Sequence, residues 1–424
     1  MSQQGPILTV STARQPSFAS ALDVANLFPI VETSPMDAAR AVEQMQPAAV
    51  LVAASDFDEA GFAALAAPIA TRQPYLPLIA VDPQIPLPDN AIPFFQSPAG
   101  SDRLVSRLRA ALRVRTLHAT VMRRLVPSVP IALSHIDPAR DATVLLVGRG
   151  SAYPTLSVSL GECTGVVGAL SIEAAAKHLN VRDIDGIVVA EGFSARVVDA
   201  FLTVLAEEAR FRHLPVVVAG SDLYPAYDLP NLEMIPGEPA HVVATALPLI
   251  RQHAFEAHLS RTLKAIDAEG LIDARTGLLT PEAFDRDFAS AVYQTQQRGG
   301  GFSVARFAFD PEHPRAQFDG ARIISRLMRQ MDFGAIQEDG SVVVVLAESD
   351  LKTAHVIARR LSSVMAIPAT ANARHDRNRL SRSQCCCRTI RRSRCARGLS
   401  KRRNAPRRKG SVRPDRNNHA RPAL

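Results

Sequence analysis

Residues 143–148 read TVLLVG, 186–190 GIVVA, 214–220 LPVVVAG and 232–235 LEMI. Each is a short apolar run. The stretches between them have a helical period: SIEAAAKHL at 171–179 and RVVDAFLTVLAEEAR at 196–210 repeat their apolar residues three and four apart. A strand that is apolar at every position has both faces covered, and a helix between successive strands is the crossover that parallel pairing needs. Residues 141–259 are therefore expected to form a doubly wound, mainly parallel α/β unit.

Upstream the plan repeats. ILTV (7–10), AVLVA (49–53) and LPLIAV (76–81) alternate with helical patterns such as PMDAARAVEQM, and SDRLVSRLRAALRV (101–114) closes a unit assigned to residues 1–126. The two copies share strand spacing and the Leu-Pro entry to the fourth strand, with little identity. Downstream, a long helix from about Glu238 to Ala268 acts as a connector to a third unit, assigned to residues 265–366. There DARTGLLTPEAFDRDFASAVYQTQQ gives a turn and an amphipathic helix, GGGFSVARFAFD a strand, and GARIISRLMRQMD a helix. AIQEDGSVVVVLAES gives a β-hairpin turning at Asp339-Gly340, and LKTAHVIARRLSSVM a last helix.

Charge divides the chain again. The whole carries +8, yet residues 371–424 hold 16 Arg and 2 Lys against Asp376 and Asp415, so the preceding 370 residues are acidic by 8. Four of the five cysteines (Cys385, Cys386, Cys387 and Cys395) lie in this tail. No apolar run approaches the ~18–20 residues of a membrane span. The opening MSQQGPILTV lacks a basic stretch leading into an apolar one. A cytoplasmic protein without a membrane partner is expected.

The first two units resemble the receiver domains of response regulators. That family needs a carboxylate pair after strand one, a phosphorylatable Asp ending strand three, a hydroxyl after strand four and a Lys after strand five. Here the pairs are Ser11-Thr12 and Gly148-Arg149, and the acceptor positions are Ala53 and Ala190. The hydroxyl positions are Val81 and Ala219, and the Lys positions Ser97 and Glu238; Asp56 and Glu191 are out of register. The resemblance implies flavodoxin-like pseudo-receivers that hold no metal and take no phosphate.

The third unit resembles a GGDEF domain, the diguanylate cyclase module, from Asp273-Ala-Arg-Thr-Gly-Leu278 to Phe284. Two receiver-like units before it give the PleD-type architecture, in a PopA-like form that has lost catalysis. The signature aligns with Glu338-Asp339-Gly340-Ser341-Val342, and the first metal-binding Asp with Ala308, in the stretch running to His313. Without those carboxylates, two-metal phosphoryl transfer is not expected. The family's inhibitory R-x-x-D site survives as Arg329 and Asp332, which the resemblance makes a cyclic di-GMP site, with Arg306 and Arg322 as possible helpers. The guanidinium would fork onto a guanine edge or phosphate, and the carboxylate would accept guanine N–H groups.

The expectation is thus a non-enzymatic signalling adaptor that binds cyclic di-GMP, dimerises through its receiver-like units and engages an output protein. It needs no cofactor. Two alternatives stay open: a diguanylate cyclase using Mg²⁺ and GTP, and nucleic-acid binding through the phosphates by the tail. The tail, residues 367–424, has the composition that GC-rich coding DNA gives out of frame. It is expected to be disordered, and nucleic acid is not the favoured partner. Cys385–Cys387 lack zinc-ligand spacing, and Gly299-Gly300-Gly301 lacks the Lys and Ser/Thr of a phosphate loop.

Overall fold

The computed structural model describes residues 5–13, 16, 18–19, 22, 29–96, 102–125, 137–220, 227–235, 238–298, 301–310, 313–365 and 385–389. Three sheets organise them, two wholly parallel and one wholly antiparallel. The chain is a mixed α/β protein with parallel sheets.

The first sheet contains β1 (Ile7–Val10), β2 (Ile30–Thr33), β3 (Ala49–Ala53), β4 (Leu78–Val81) and β5 (Ala91–Phe94), in the order β2-β1-β3-β4-β5. α1 (Ala38–Met45), α2 (Glu59–Ala70) and α3 (Asp102–Arg124) complete the unit. The second sheet holds β6 (Thr143–Val147), β7 (Gly165–Ala169), β8 (Gly186–Val189), β9 (Val216–Ala219) and β10 (Leu232–Ile235), in the equivalent order β7-β6-β8-β9-β10. Its helices are α4 (Tyr153–Cys163), α5 (Ile172–Val181), α6 (Ala195–Glu207) and α7 (Pro239–Asp267). Central strands β1, β4, β6, β8 and β9 are buried at every residue, as helices on both faces require.

The third unit comprises α8 (Pro281–Arg298), β11 (Phe302–Phe307), α9 (Pro314–Leu327), β12 (Phe333–Ile336), β13 (Val342–Ala347) and α10 (Leu351–Met365). β12 and β13 form the expected hairpin, and its sheet runs β12-β13-β11-β14. The fourth strand, β14 (Cys385–Thr389), corrects the expectation of a wholly disordered tail: it pairs antiparallel with β11, Phe307 opposite Cys385 and Ser303 opposite Thr389. A strand edge leaves backbone N–H and C=O groups unpaired, and any extended segment can satisfy them whatever its charge. The rest of the tail, with Cys395, lies outside the described residues, as do Ser97, Gly299 and Gly300.

The first two units share one apolar core. α3 and α7 lie side by side, and the inner faces of both sheets converge on them: Ile79, Leu104 and Leu108 from one side, Val188, Leu249 and Ile250 from the other. Farther along, Val114, Val121 and Leu259 are buried between the two helices. The buried Glu233 carboxylate crosses this apolar zone, held by Arg107 and, at 3.3 Å, by Arg103. Arg107, fully buried, reaches Glu233 at 2.8 Å, Pro93 O at 2.7 Å and Pro230 O at 2.6 Å.

Candidate functional site

The third unit meets the second through charge. The meeting begins at the DARTGL turn. The Asp273 carboxylate accepts the backbone N–H of Arg275 at 3.2 Å, that of Thr276 at 3.1 Å and the Thr276 hydroxyl at 2.5 Å. Gly277 follows with φ +75°, a left-handed conformation that glycine adopts without strain. Its carbonyl accepts the Ser325 hydroxyl of α9 at 2.9 Å. The turn launches Arg275 toward the second unit, 3.2 Å from Asp141, with its guanidinium 3.7 Å above the Phe318 ring.

α9 supplies the rest. Arg315, Asp319, Arg322 and Arg326 are spaced four, three and four apart, so they form one stripe along the helix. Arg322 donates to Arg275 O at 2.8 Å and to Asp141 O at 3.1 Å. Arg326 donates to Arg182 O at 3.0 Å and pairs with Asp183 at 2.9 Å. Arg315 donates to Ala142 O. It occupies space beside Gly165, where any Cβ would collide with the guanidinium. From the second unit Arg182 reaches back to Val364 O in α10, 3.4 Å away.

Burial shapes the titration of this cluster. It raises the Asp319 carboxyl above its usual range, although Arg315, Arg322 and Arg182 pull the other way. It lowers the guanidinium groups of Arg182, Arg261 and Arg315. Asp185 is the opposite case: burial pushes it up, but His253 and the Thr143 N–H, 2.8 Å away, hold it below the usual value. His258 is pushed down by burial first and by Arg261 second.

A small cavity lies between the turn at Pro138–Asp141, α7 and α9, lined by Arg261, Arg275 and Arg322 and by Asp137, Asp141 and Asp185. It holds no Ser, Thr or Cys nucleophile. Among the described residues no three His, Cys, Asp or Glu side chains are grouped to hold a metal. The arrangement is rich in donors and suits binding more than bond-making.

The sequence-predicted residues lie elsewhere. Asp332 is buried, and its carboxylate accepts the Ala347 N–H at 3.1 Å, tying β12 to the end of β13; burial raises its pKa. Arg329 is exposed, three residues back, and its carbonyl accepts the Asp332 N–H at 3.0 Å. Arg322 sits at the junction, not beside Arg329. Arg306 is committed to Asp339 and, at 2.9 Å, to the Ser341 hydroxyl, which clamps the hairpin tip formed by Glu338, Asp339 and Gly340. Ala308 is exposed just beyond β11.

Ala53 and Ala190 end β3 and follow β8, at the crevices where doubly wound sheets take ligands. Both crevices are laced across. Asp56 accepts from the Ser11 hydroxyl at 2.9 Å and the Thr12 N–H at 2.7 Å, which lowers its pKa against the effect of burial. Glu191 O accepts from the N–H groups of Arg149 at 3.3 Å and Gly150 at 3.1 Å.

No family model matches the chain, and no curated protein matches it. Among solved structures, two crystal structures of D-isomer specific 2-hydroxyacid dehydrogenase family proteins are similar. The one from Aeromonas salmonicida subsp. salmonicida A449 is 12% identical and covers 64% of this chain and 100% of its own, with a TM-score of 0.17. The one from Klebsiella pneumoniae 342 is 12% identical and covers 63% and 96%, again with a TM-score of 0.17. These comparisons correct the receiver–receiver–GGDEF reading, because the neighbours carry another family's description and no family model supports it. The cyclic di-GMP adaptor, cyclase and response-regulator expectations fall with it; Asp332 itself is buried and bonded to the Ala347 N–H. At a TM-score of 0.17 the dehydrogenases lend no activity either.

Nor do the residues fit a dinucleotide. Gly148-Arg149-Gly150 follows central strand β6, but a Tyr, not Gly, stands at 153, and Ala169-Leu170-Ser171 ends β7 without an acidic residue. The amides of Arg149 and Gly150 that would face a pyrophosphate already bond Glu191 O.

Sequence reasoning missed Arg261, Arg275, Arg315, Asp319 and Arg326 as a group. For Arg315, Asp319 and Arg326 the signal was present as R-x₃-D-x₂-R-x₃-R on one helix face; Arg261 and Arg275 lie outside that pattern.

Proposed function

We propose that this chain is a binding scaffold: a fixed platform of two doubly wound units that holds a third, antiparallel unit in a set pose and offers its surface to a protein partner. The observation that carries this reading is the arginine stripe of α9, whose guanidinium groups end on backbone carbonyls and carboxylates of the second unit. The flavodoxin-like strand order of the first two sheets, with both crevices closed by loop-to-loop hydrogen bonds, favours a mechanical role for them. Charge-assisted hydrogen bonds are worth about 1.5–3 kcal/mol each, so several together fix a pose firmly while remaining sensitive to salt.

The test is X-ray scattering of the full chain with Arg315, Arg322 and Arg326 all changed to Ala. The expected result is a larger radius of gyration with secondary structure unchanged by circular dichroism, as the third unit swings free on α7. An unchanged radius in the triple variant overturns the reading.

A further inference from the structure

We infer that the junction cavity binds a small tetrahedral oxyanion, with inorganic phosphate as its representative. The inference rests on the scaffold reading, since the cavity exists only while the third unit is held against the second, and Arg322 belongs to both.

Consider which charges there are already matched. Asp141 is paired with Arg275, and Asp137 with Arg251 at 3.2 Å. Asp185 accepts the Thr143 N–H and lies 3.6 Å from His253. Each carboxylate is therefore engaged. Two of the three lining guanidinium groups lack a carboxylate: Arg322 donates only to carbonyls, and Arg261 makes no hydrogen bond or ion pair with any described residue. The Nε of Arg261 is shut off from solvent with nothing to donate to, and so is the Nε2 of His258, one turn earlier on α7. A largely buried guanidinium with no carboxylate in direct contact is costly: burial and then Arg322 disfavour its charge, and Asp185, Asp183 and Asp141 offset this only from a distance. An oxyanion would supply the missing charge and several acceptor oxygens at once.

The size of the space narrows the class. The cavity volume is about 20 Å³. That holds one water comfortably and the clustered oxygens of a tetrahedral anion tightly, with none left for a sugar or a base.

The experiment is thermal unfolding and calorimetry of the full chain with inorganic phosphate against sodium chloride at equal ionic strength. Phosphate is expected to raise the Tm of the native chain saturably, beyond chloride, and sulfate to do the same. Arg261→Gln should lose that rise. Its Tm in chloride alone should equal or exceed that of the native chain, because a desolvated charge with no direct carboxylate partner is gone; a merely structural arginine would give a lower Tm. Arg261→Lys keeps the charge without the fork and should weaken phosphate binding on the order of tenfold. A native chain that responds to neither anion beyond chloride overturns the proposal, and so does an undiminished rise in Arg261→Gln. If the Gln variant does not fold, the native titration and the Lys variant decide. The titration reads the anion with the clamp closed, whereas the scattering of the triple variant reads the pose without anion, so each claim can fail alone.

Discussion

The molecule has two internal interfaces built on opposite principles. Between the first and second units lies a continuous apolar core crossed by the buried Glu233 carboxylate, which fully buried Arg107 and partly buried Arg103 hold. Between the second and third lies a field of arginines ending on carbonyls and carboxylates, with Arg261 left over. Burying apolar surface is insensitive to salt and tolerates no half-open state. Charged hydrogen bonds have direction, compete with water and answer to ions. The first interface joins two units through apolar packing, and the second holds the third unit in its pose by contacts that answer to ions.

The sharpest way to break this contrast is at the apolar interface. Glu233→Ala leaves Arg107 buried without its counter-charge, and removing one partner of such a pair costs about 3–5 kcal/mol. Denaturant unfolding should show that loss as a lower midpoint with the first two units melting together. Arg107→Met with Glu233→Leu removes both charges and should recover most of the loss. If Glu233→Ala costs under about 1 kcal/mol, the pair is not the desolvated latch that its geometry implies.

Acid supplies a smaller perturbation. His118 lies in the α3–α7 seam, and its Nδ1 accepts the Tyr75 N–H at 2.8 Å. Burial lowers its pKa below the ordinary imidazole value. The unfolded chain therefore takes up the proton more readily, so the contribution is present above about pH 6.5 and is lost as pH falls below it. Loss of one such hydrogen bond is worth about 1 kcal/mol, a few degrees in Tm between pH 7.5 and 5.5. His118→Gln, which can still accept but does not titrate, should flatten that slope.

The least effect is expected at the rim of the same seam. Arg124 and Asp267 pair at 2.8 Å with both side chains about half exposed. Asp267→Asn should change stability by less than about 0.5 kcal/mol in chemical denaturation. A large effect there would place the strength of the platform in its charged rim and not in Val114, Val121 and Leu259.

Much of the fold was legible because apolar runs with helical spacers admit few arrangements. Besides β14, the strands absent from the sequence reading were β2, β5 and β7. β2 (IVET) and β5 (AIPF) are four residues long, and β5 carries Pro93, which strands tolerate only at an edge; β7 (GVVGA) is diluted by glycine. The site was hardly legible. Spacing singled out Asp332 beside Arg329 but gave no sign that its carboxylate is buried and accepts the Ala347 N–H. Arg322 and Arg275 were visible as residues, but their partner Asp141 is distant in sequence, and only packing brings them together.

The short strand at Cys385–Thr389 has a practical consequence. By lying along β11 it leaves the hairpin strand β12 and itself as the outer members of the third sheet. A chain cut after Met365 would instead present Phe302–Phe307, a run with two phenylalanines, as a bare strand edge open to a second copy. Shortened forms should therefore self-associate in proportion to concentration where the full chain does not, and preparations meant to simplify the molecule would be the ones that precipitate.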